Sequence, residues 1–221
     1  MWKSIRPALR VSLETPRCIS MEFFETYWLE ILGTLSGLVC VWLLIKESVL
    51  TFPIGLLYAV VTSAVVLEAQ LYADLVLNVY FVLMNAYGWY FWVRGAEERQ
   101  VEGKLLVATV PSKEVGLAAV AIILGTLVVG YVFSAYTAAD FAYWDSLTTV
   151  ASFIAMWMTA RKYLESWALW FLTDVLQIAL YAVKGFNGSP GLYFYSFLYS
   201  VYLWMAVLGW RSWSQNVVKQ V

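Results

Sequence analysis

The chain has 221 residues, 62% of them hydrophobic and 13% charged, with a formal net charge of −1. Soluble domains run at about 45–50% apolar and about 25% charged residues, so the composition excludes an ordinary soluble fold and predicts an integral membrane protein. There is no histidine, and Cys18 and Cys40 form no ligand pattern, so no metal, no cofactor and no enzymatic activity is expected.

Residues 1–24 place Lys3, Arg6, Arg10 and Arg17 among Trp2, Ile5, Leu9 and Leu13 at helical spacing. That pattern predicts an amphipathic arm on the membrane surface, without the unbroken apolar core of a signal peptide. Seven apolar segments follow, at 26–45, 52–69, 72–93, 115–134, 143–160, 167–183 and 191–211. Most are close to the ~20 residues that a spanning helix needs, and the shorter ones still suffice. A polar loop, 94–114, separates the third from the fourth.

Basic residues mark one side of the membrane. Lys46, Arg94, Arg99, Lys104, Lys113, Arg161, Lys162, Arg211 and Lys219 all follow odd-numbered segments. The positive-inside rule then places those loops and the C-terminus in the cytoplasm and the N-terminus outside, although the basic arm argues the other way.

The chain also repeats itself. Leu71-Tyr72 leading to Gly88-Trp89-x-x-Trp92 recurs as Leu192-Tyr193 leading to Gly209-Trp210-x-x-Trp213. Trp42 and Lys46 match Trp157 and Arg161, and Glu47-Ser48 is paired with Glu165-Ser166. The expected architecture is therefore all-α: seven transmembrane helices, as two parallel three-helix repeats (25–94 and 141–213) joined by a loop and connector helix (95–140), with a tail at 214–221. Such repeats put a binding site between the halves, where helices 2, 3, 6 and 7 meet.

Two polar stripes point to that site. On the sixth segment Trp167, Trp170, Asp174, Gln177, Tyr181 and Lys184 recur at steps of three and four; on the third, Asp74, Asn78, Phe81, Asn85, Gly88 and Trp92 do the same. Residues so spaced share one helix face. A carboxylate at membrane depth is costly and marks a functional candidate, but helix packing explains such a stripe too. The glycines of 184–191 lack the Gly-Lys-Ser/Thr of a phosphate loop, so a turn is expected there.

The 3+1+3 layout resembles the SWEET sugar-transporter fold. The motifs Leu71-Tyr72-Ala-Asp74, Tyr87-Gly88-Trp89-Tyr90-x-Trp92, Arg161-Lys162-x-x-Glu165-Ser-Trp167-x-x-Trp170-x-x-x-Asp174-Val175 and Tyr181-x-x-Lys184-Gly185 resemble the bacterial nicotinamide riboside transporters of the PnuC type. Ser166 stands where members often have Asn, and Phe52 where they often have Trp. The resemblance implies passive passage of nicotinamide riboside through the inner membrane, trapping by cytosolic phosphorylation, and a homo-oligomer, a trimer; no nucleic-acid partner is expected.

On that footing Trp170 and Trp92 are candidates to stack on the pyridinium ring, as tryptophan faces suit a flat cation. Asn85 and Gln177 are candidates for the carboxamide, which needs donor and acceptor together. Asn78, Tyr80 and Tyr181 are candidates for the ribose, and Asp174 and Asp74 for the path. Against each stands a structural reading: interfacial anchors for the tryptophans, interhelical bonds for the amides, pairing of Asp174 with Lys184 or a tyrosine. The alternative function is a SWEET-like carrier of a sugar or another small vitamin-like solute. A retinal protein is disfavoured because 191–210 contains no lysine.

Overall fold

A computed structural model describes residues 16–68, 72–95, 97–136, 141–186 and 193–217. Among them run seven α-helices: α1 (Pro16–Ile45), α2 (Thr51–Glu68), α3 (Tyr72–Arg94), α4 (Ser112–Tyr136), α5 (Ala142–Ala160), α6 (Ser166–Phe186) and α7 (Tyr193–Ser214). Each apolar segment is thus a helix. The clearest shift in a boundary is at α1, which starts at Pro16 rather than near residue 26. Proline suits the first turn, and nothing from 17 to 32 breaks a helix, since neither proline nor glycine occurs there. Residues 1–15 of the amphipathic arm and the turn at 187–192 lie outside the described residues.

α2 packs between α1 and α3, and α6 between α5 and α7; the two groups meet where α3 lies on α5 and α7 lies on α1. α4 packs along α5. Only Ala118 and Gly130 of α4 are buried, while Leu117, Ile123, Leu124, Leu127 and Val128 are exposed. A helix apolar on its exposed face suits lipid rather than water. By length and composition α4 and α6 are each long and apolar enough to span a membrane.

One end of the molecule is closed by a cluster of rings. Phe52 meets Trp92 edge-on at 5.0 Å, Trp92 lies 5.8 Å from Trp213, and Trp213 meets Trp167 edge-on at 5.4 Å. Two glycines make the cluster possible. A Cβ on Gly88 would run into the Phe52 ring, and one on Gly209 into the Trp167 ring, so only glycine lets those rings lie against the α3 and α7 backbones. The buried indole N–H groups are satisfied across the seam. Trp92 Nε1 donates to the Thr159 carbonyl at the end of α5 (3.3 Å), and Trp213 Nε1 to the Leu44 carbonyl at the end of α1 (3.0 Å).

α1 and α5 end alike. Glu47 N donates to Leu44 O and Ser48 N to Leu43 O, and Lys162 N donates to Thr159 O and Tyr163 N to Met158 O. Both are Schellman caps. The left-handed position usually held by glycine is Glu47 in one (φ +55°) and Lys162 in the other (φ +56°). By this geometry Glu47 corresponds to Lys162 rather than to Glu165, which instead lies directly before α6 and accepts a hydrogen bond from Val110 N (2.9 Å). The two strained residues bond each other: Lys162 Nζ lies 2.9 Å from Glu47 Oε2. Lys162 also donates to the Leu105 carbonyl and sits 4.4 Å over the Trp92 ring, while Asn216 donates to Glu47 Oε1 (2.7 Å). Burial pushes the Lys162 ammonium below its ordinary pKa, and Glu47 opposes that shift.

The polar loop after α3 folds over this end. A hairpin, β1 (Gln100–Val101) antiparallel to β2 (Lys104–Leu105), leads to Val107, Ala108 and Val110, all buried. Arg99 holds the loop by donating to the carbonyls of Leu106 (2.8 Å) and Arg161 (3.0 Å).

Candidate functional site

A cavity of about 230 Å³ opens above the ring cluster. Every helix except α4 contributes to its wall: Gly37, Cys40 and Leu44 from α1; Thr51, Phe52, Gly55 and Tyr58 from α2; Phe81 and Asn85 from α3; Met156 and Thr159 from α5; Trp167, Trp170 and Asp174 from α6; Tyr199, Tyr202 and Ala206 from α7. An aromatic and apolar surface with a few convergent polar groups is the usual make-up of a small-molecule site.

Of the residues singled out from the sequence, Trp170, Asp174 and Asn85 line this cavity. Trp170 is held by Thr159: its Nε1 donates to Thr159 Oγ1 (3.0 Å), which itself donates to the Ala155 carbonyl (2.9 Å). Asn85 is buried and donates through Nδ2 to the Phe81 carbonyl (2.8 Å). A side-chain amide offers two donors and two acceptor lone pairs, so one N–H and the oxygen remain for other partners. Its carbonyl oxygen sits where a Cβ on residue 55 would be, and Gly55 makes the room. Asp174 is 6% exposed, and among the described residues no cation or hydrogen-bond donor engages its carboxylate. Lys184 pairs instead with Asp145, at 3.7 Å.

The others lie off the cavity wall. Gln177 is one turn beyond Asp174, its Oε1 buried and without a hydrogen bond among the described residues. Tyr181 stacks on Tyr195 (5.3 Å) and on Tyr199 (5.6 Å), continuing the same face of α6. Asn78 is buried two turns before Asn85. Tyr80 turns to α5, donating to the Phe153 carbonyl (2.8 Å) with its ring 4.5 Å from that of Phe153. Trp92 stands behind Phe52 in the ring cluster, 2% exposed. The side chain of Asp74 lies outside the described residues.

Tyr199, Tyr202, Tyr58, Thr159, Thr51 and Cys40 reach the cavity without having been singled out. For α7 the signal was available. The repeat that maps Gly88 and Trp92 onto Gly209 and Trp213 maps Asn78, Phe81 and Asn85 onto Tyr199, Tyr202 and Ala206. Thr51 and Cys40 are tied to each other, Thr51 Oγ1 donating to the Cys40 carbonyl (2.9 Å), and no periodic pattern marks them.

Comparison with known proteins agrees with this architecture. The sequence profile of a family described as nicotinamide mononucleotide transporter matches residues 27–215. The chain belongs to that family. Its members are membrane transporters, and the stretch matched runs from within α1 past the end of α7. The nicotinamide riboside transporter PnuC of Escherichia coli strain K12 is 29% identical over 212 residues, 86% of either chain. The riboflavin/roseoflavin transporter RibM of Streptomyces davaonensis is 29% identical over 191 residues, 84% of either chain. A crystal structure of the vitamin B3 transporter PnuC superposes with a TM-score of 0.69 at 22% identity, covering 90% of this chain and 86% of that one; it has the same fold.

Proposed function

We propose that the protein takes up nicotinamide riboside across the bacterial inner membrane by facilitated diffusion. The observation that carries this reading is one cavity holding an indole fixed by Thr159, an amide with a donor and an acceptor to spare, and a carboxylate lacking a cation. A pyridinium riboside offers a flat cationic ring, a carboxamide and sugar hydroxyls. Trp170 stacks on the ring, Asn85 pairs with the carboxamide, and Tyr58, Tyr199 and Tyr202 face the ribose. Gln177, Tyr181 and Asn78 line the path beyond the cavity, Gln177 with its free oxygen toward a passing amide. Trp92 and Tyr80 act from behind the wall, Trp92 by backing Phe52. None of the described side chains on the wall is basic, so nothing there neutralises a phosphate, and the mononucleotide is excluded. Phosphorylation in the cytosol then traps the riboside.

The architecture we infer is two parallel three-helix repeats, α1–α3 and α5–α7, with α4 as connector. The matched seams, caps and ring–glycine contacts support it. The end bearing Lys162, Arg99 and Arg161 faces the cytoplasm, by the positive-inside rule, and the working unit is a homo-oligomer, a trimer by its likeness to the family.

Titration calorimetry on the purified protein tests the reading. Nicotinamide riboside should bind, and nicotinamide mononucleotide, thiamine and glucose should not. Preferred binding of glucose or another sugar would shift the assignment to a sugar carrier, and preferred binding of riboflavin to a flavin carrier.

A further inference from the structure

Asp174 is the one carboxyl or basic side chain on the cavity wall among the described residues. Its neighbours there are Trp170 one turn earlier on α6 and the phenols of Tyr199 and Tyr202 on α7, which lie within range of its field. The basic group that could have neutralised it, Lys184, is committed to Asp145. The corresponding position in the other half of the chain is Ala59, so the carboxylate belongs to one wall only. Taking a carboxylate out of water is costly unless an opposite charge comes with it. In a cavity walled by rings and methyl groups, an attraction to a cation is screened far less than at a surface.

We propose that Asp174 is the specificity-determining residue that selects a ring carrying positive charge, acting as counter-charge to the ring that lies on Trp170. This rests on the riboside reading above and extends it: the cavity distinguishes solutes of one shape by charge. The indole face contributes in the same direction, since its quadrupole also favours a cation. Once a cationic ring shares the cavity the carboxyl group ionises against it, and its full charge then contributes more than the indole face. A relative of this chain is named for riboflavin, an uncharged solute, and a carboxyl group on the wall is one way to separate a cationic solute from a neutral one.

The test uses a pair of ligands alike in outline and unlike in charge: nicotinamide riboside and its reduced 1,4-dihydro form, which keeps the ribose and carboxamide but is neutral. Binding of each is measured by calorimetry to the wild type, to Asp174→Asn and to Trp170→Phe. The wild type should prefer the cation on the order of ten- to a hundredfold. Asp174→Asn, which keeps the shape, should reduce that preference to about threefold or less, leaving only what the indole contributes. Trp170→Phe should weaken both ligands while retaining most of the preference. Equal binding of the two forms by the wild type overturns the inference and leaves the riboside reading standing. So does a preference that survives intact in Asp174→Asn. Binding of neither form by the wild type overturns the riboside reading and the inference together. Where the aspartate variant fails to fold, the wild-type pair still tests the inference: a preference of about threefold or less, which the indole alone supplies, overturns it.

Discussion

The halves α1–α3 and α5–α7 agree at one end of the molecule and part company at the cavity. At the closed end the correspondences run side chain by side chain. Phe52 over Gly88 answers Trp167 over Gly209, and Trp92 on the Thr159 carbonyl answers Trp213 on the Leu44 carbonyl. The left-handed Glu47 answers the left-handed Lys162. One turn further on the likeness stops. Gly55 faces Asn85 in the first half, where Trp170 and Ala206 stand in the second; Ala59 corresponds to Asp174, and Phe81 to Tyr202. Large and small have changed sides. What is shared holds the two halves together, and what differs makes the cavity lopsided, with an amide on one wall and an indole and a carboxylate on the other. An asymmetric solute needs a lopsided cavity, whereas a closed end needs only matched parts.

Breaking the shared end should have the largest effect. Lys162→Met keeps the length of the side chain and removes its charge, leaving the partly buried Glu47 without a cation. Losing one partner of a fully buried pair costs about 3–5 kcal/mol, and the partial exposure of Glu47 puts this pair at or below the lower end of that range. Thermal unfolding in detergent should show a large fall in midpoint for Lys162→Met, and a partial recovery when Glu47→Gln is added. Unfolding of the single variant at the wild-type temperature would mean that the pair does not join the halves.

The closed end also shows how much of the molecule the sequence carried openly. The seven helices follow from apolar segments of spanning length, and the two glycines that take a ring against their backbone stand in the paired motifs Gly88-Trp89-x-x-Trp92 and Gly209-Trp210-x-x-Trp213. The cap of α1 was harder to see. Glutamate and lysine take the left-handed position that glycine usually marks, so Glu47 aligned by identity with Glu165 although its geometry matches Lys162. The stripes gave the face of each helix and not the depth. From Trp167 to Lys184 α6 rises about 25 Å, and the cavity touches only the part from Trp167 to Asp174. Periodicity fixes an angle around the helix axis, and a stripe longer than a cavity must run past it. Tyr80 sits off the stripe of α3 and accordingly meets α5. Thr51 and Cys40 reach the wall because α1 crosses α2 there, a fact of packing that neither segment's pattern contains.

A smaller effect is expected where the halves differ in polarity. Asn85→Leu removes the amide from the first wall. A site that pairs with a carboxamide discriminates against the corresponding acid, and a buried polar group left unpaired costs about 1–3 kcal/mol. The wild type should therefore prefer nicotinamide riboside to nicotinic acid riboside by on the order of ten- to a hundredfold in binding. Asn85→Leu should lose most of that ratio. Gly55→Ala should act in the same direction, because its methyl group claims the space of the Asn85 oxygen. Equal binding of both ribosides by the wild type would remove Asn85 from the carboxamide.

The smallest effect concerns how the indole of the second wall is held. Thr159 is the counterpart of Leu44, and Trp170 of Gly55. The half that has the indole has the hydroxyl that accepts its N–H, and the half without the indole has a methyl-bearing side chain instead. Both carbonyls at this position serve the ring cluster, so the hydroxyl is the part specific to Trp170. Thr159→Val keeps shape and burial and removes one hydrogen bond, worth about 1 kcal/mol. We expect riboside affinity to fall by about fivefold in Thr159→Val, with Thr159→Ser close to wild type. In a Trp170→Phe background the ring has no N–H to hold, so Thr159→Val should add no further loss. Indole ¹⁵N–¹H spectra of the ligand-free protein give a second readout, with the Trp170 signal identified by its absence in Trp170→Phe. That signal should move upfield in Thr159→Val. Losses that add in the double variant, or a Trp170 signal that stays in place, would show that Thr159 serves the fold of α5 and not the orientation of the ring.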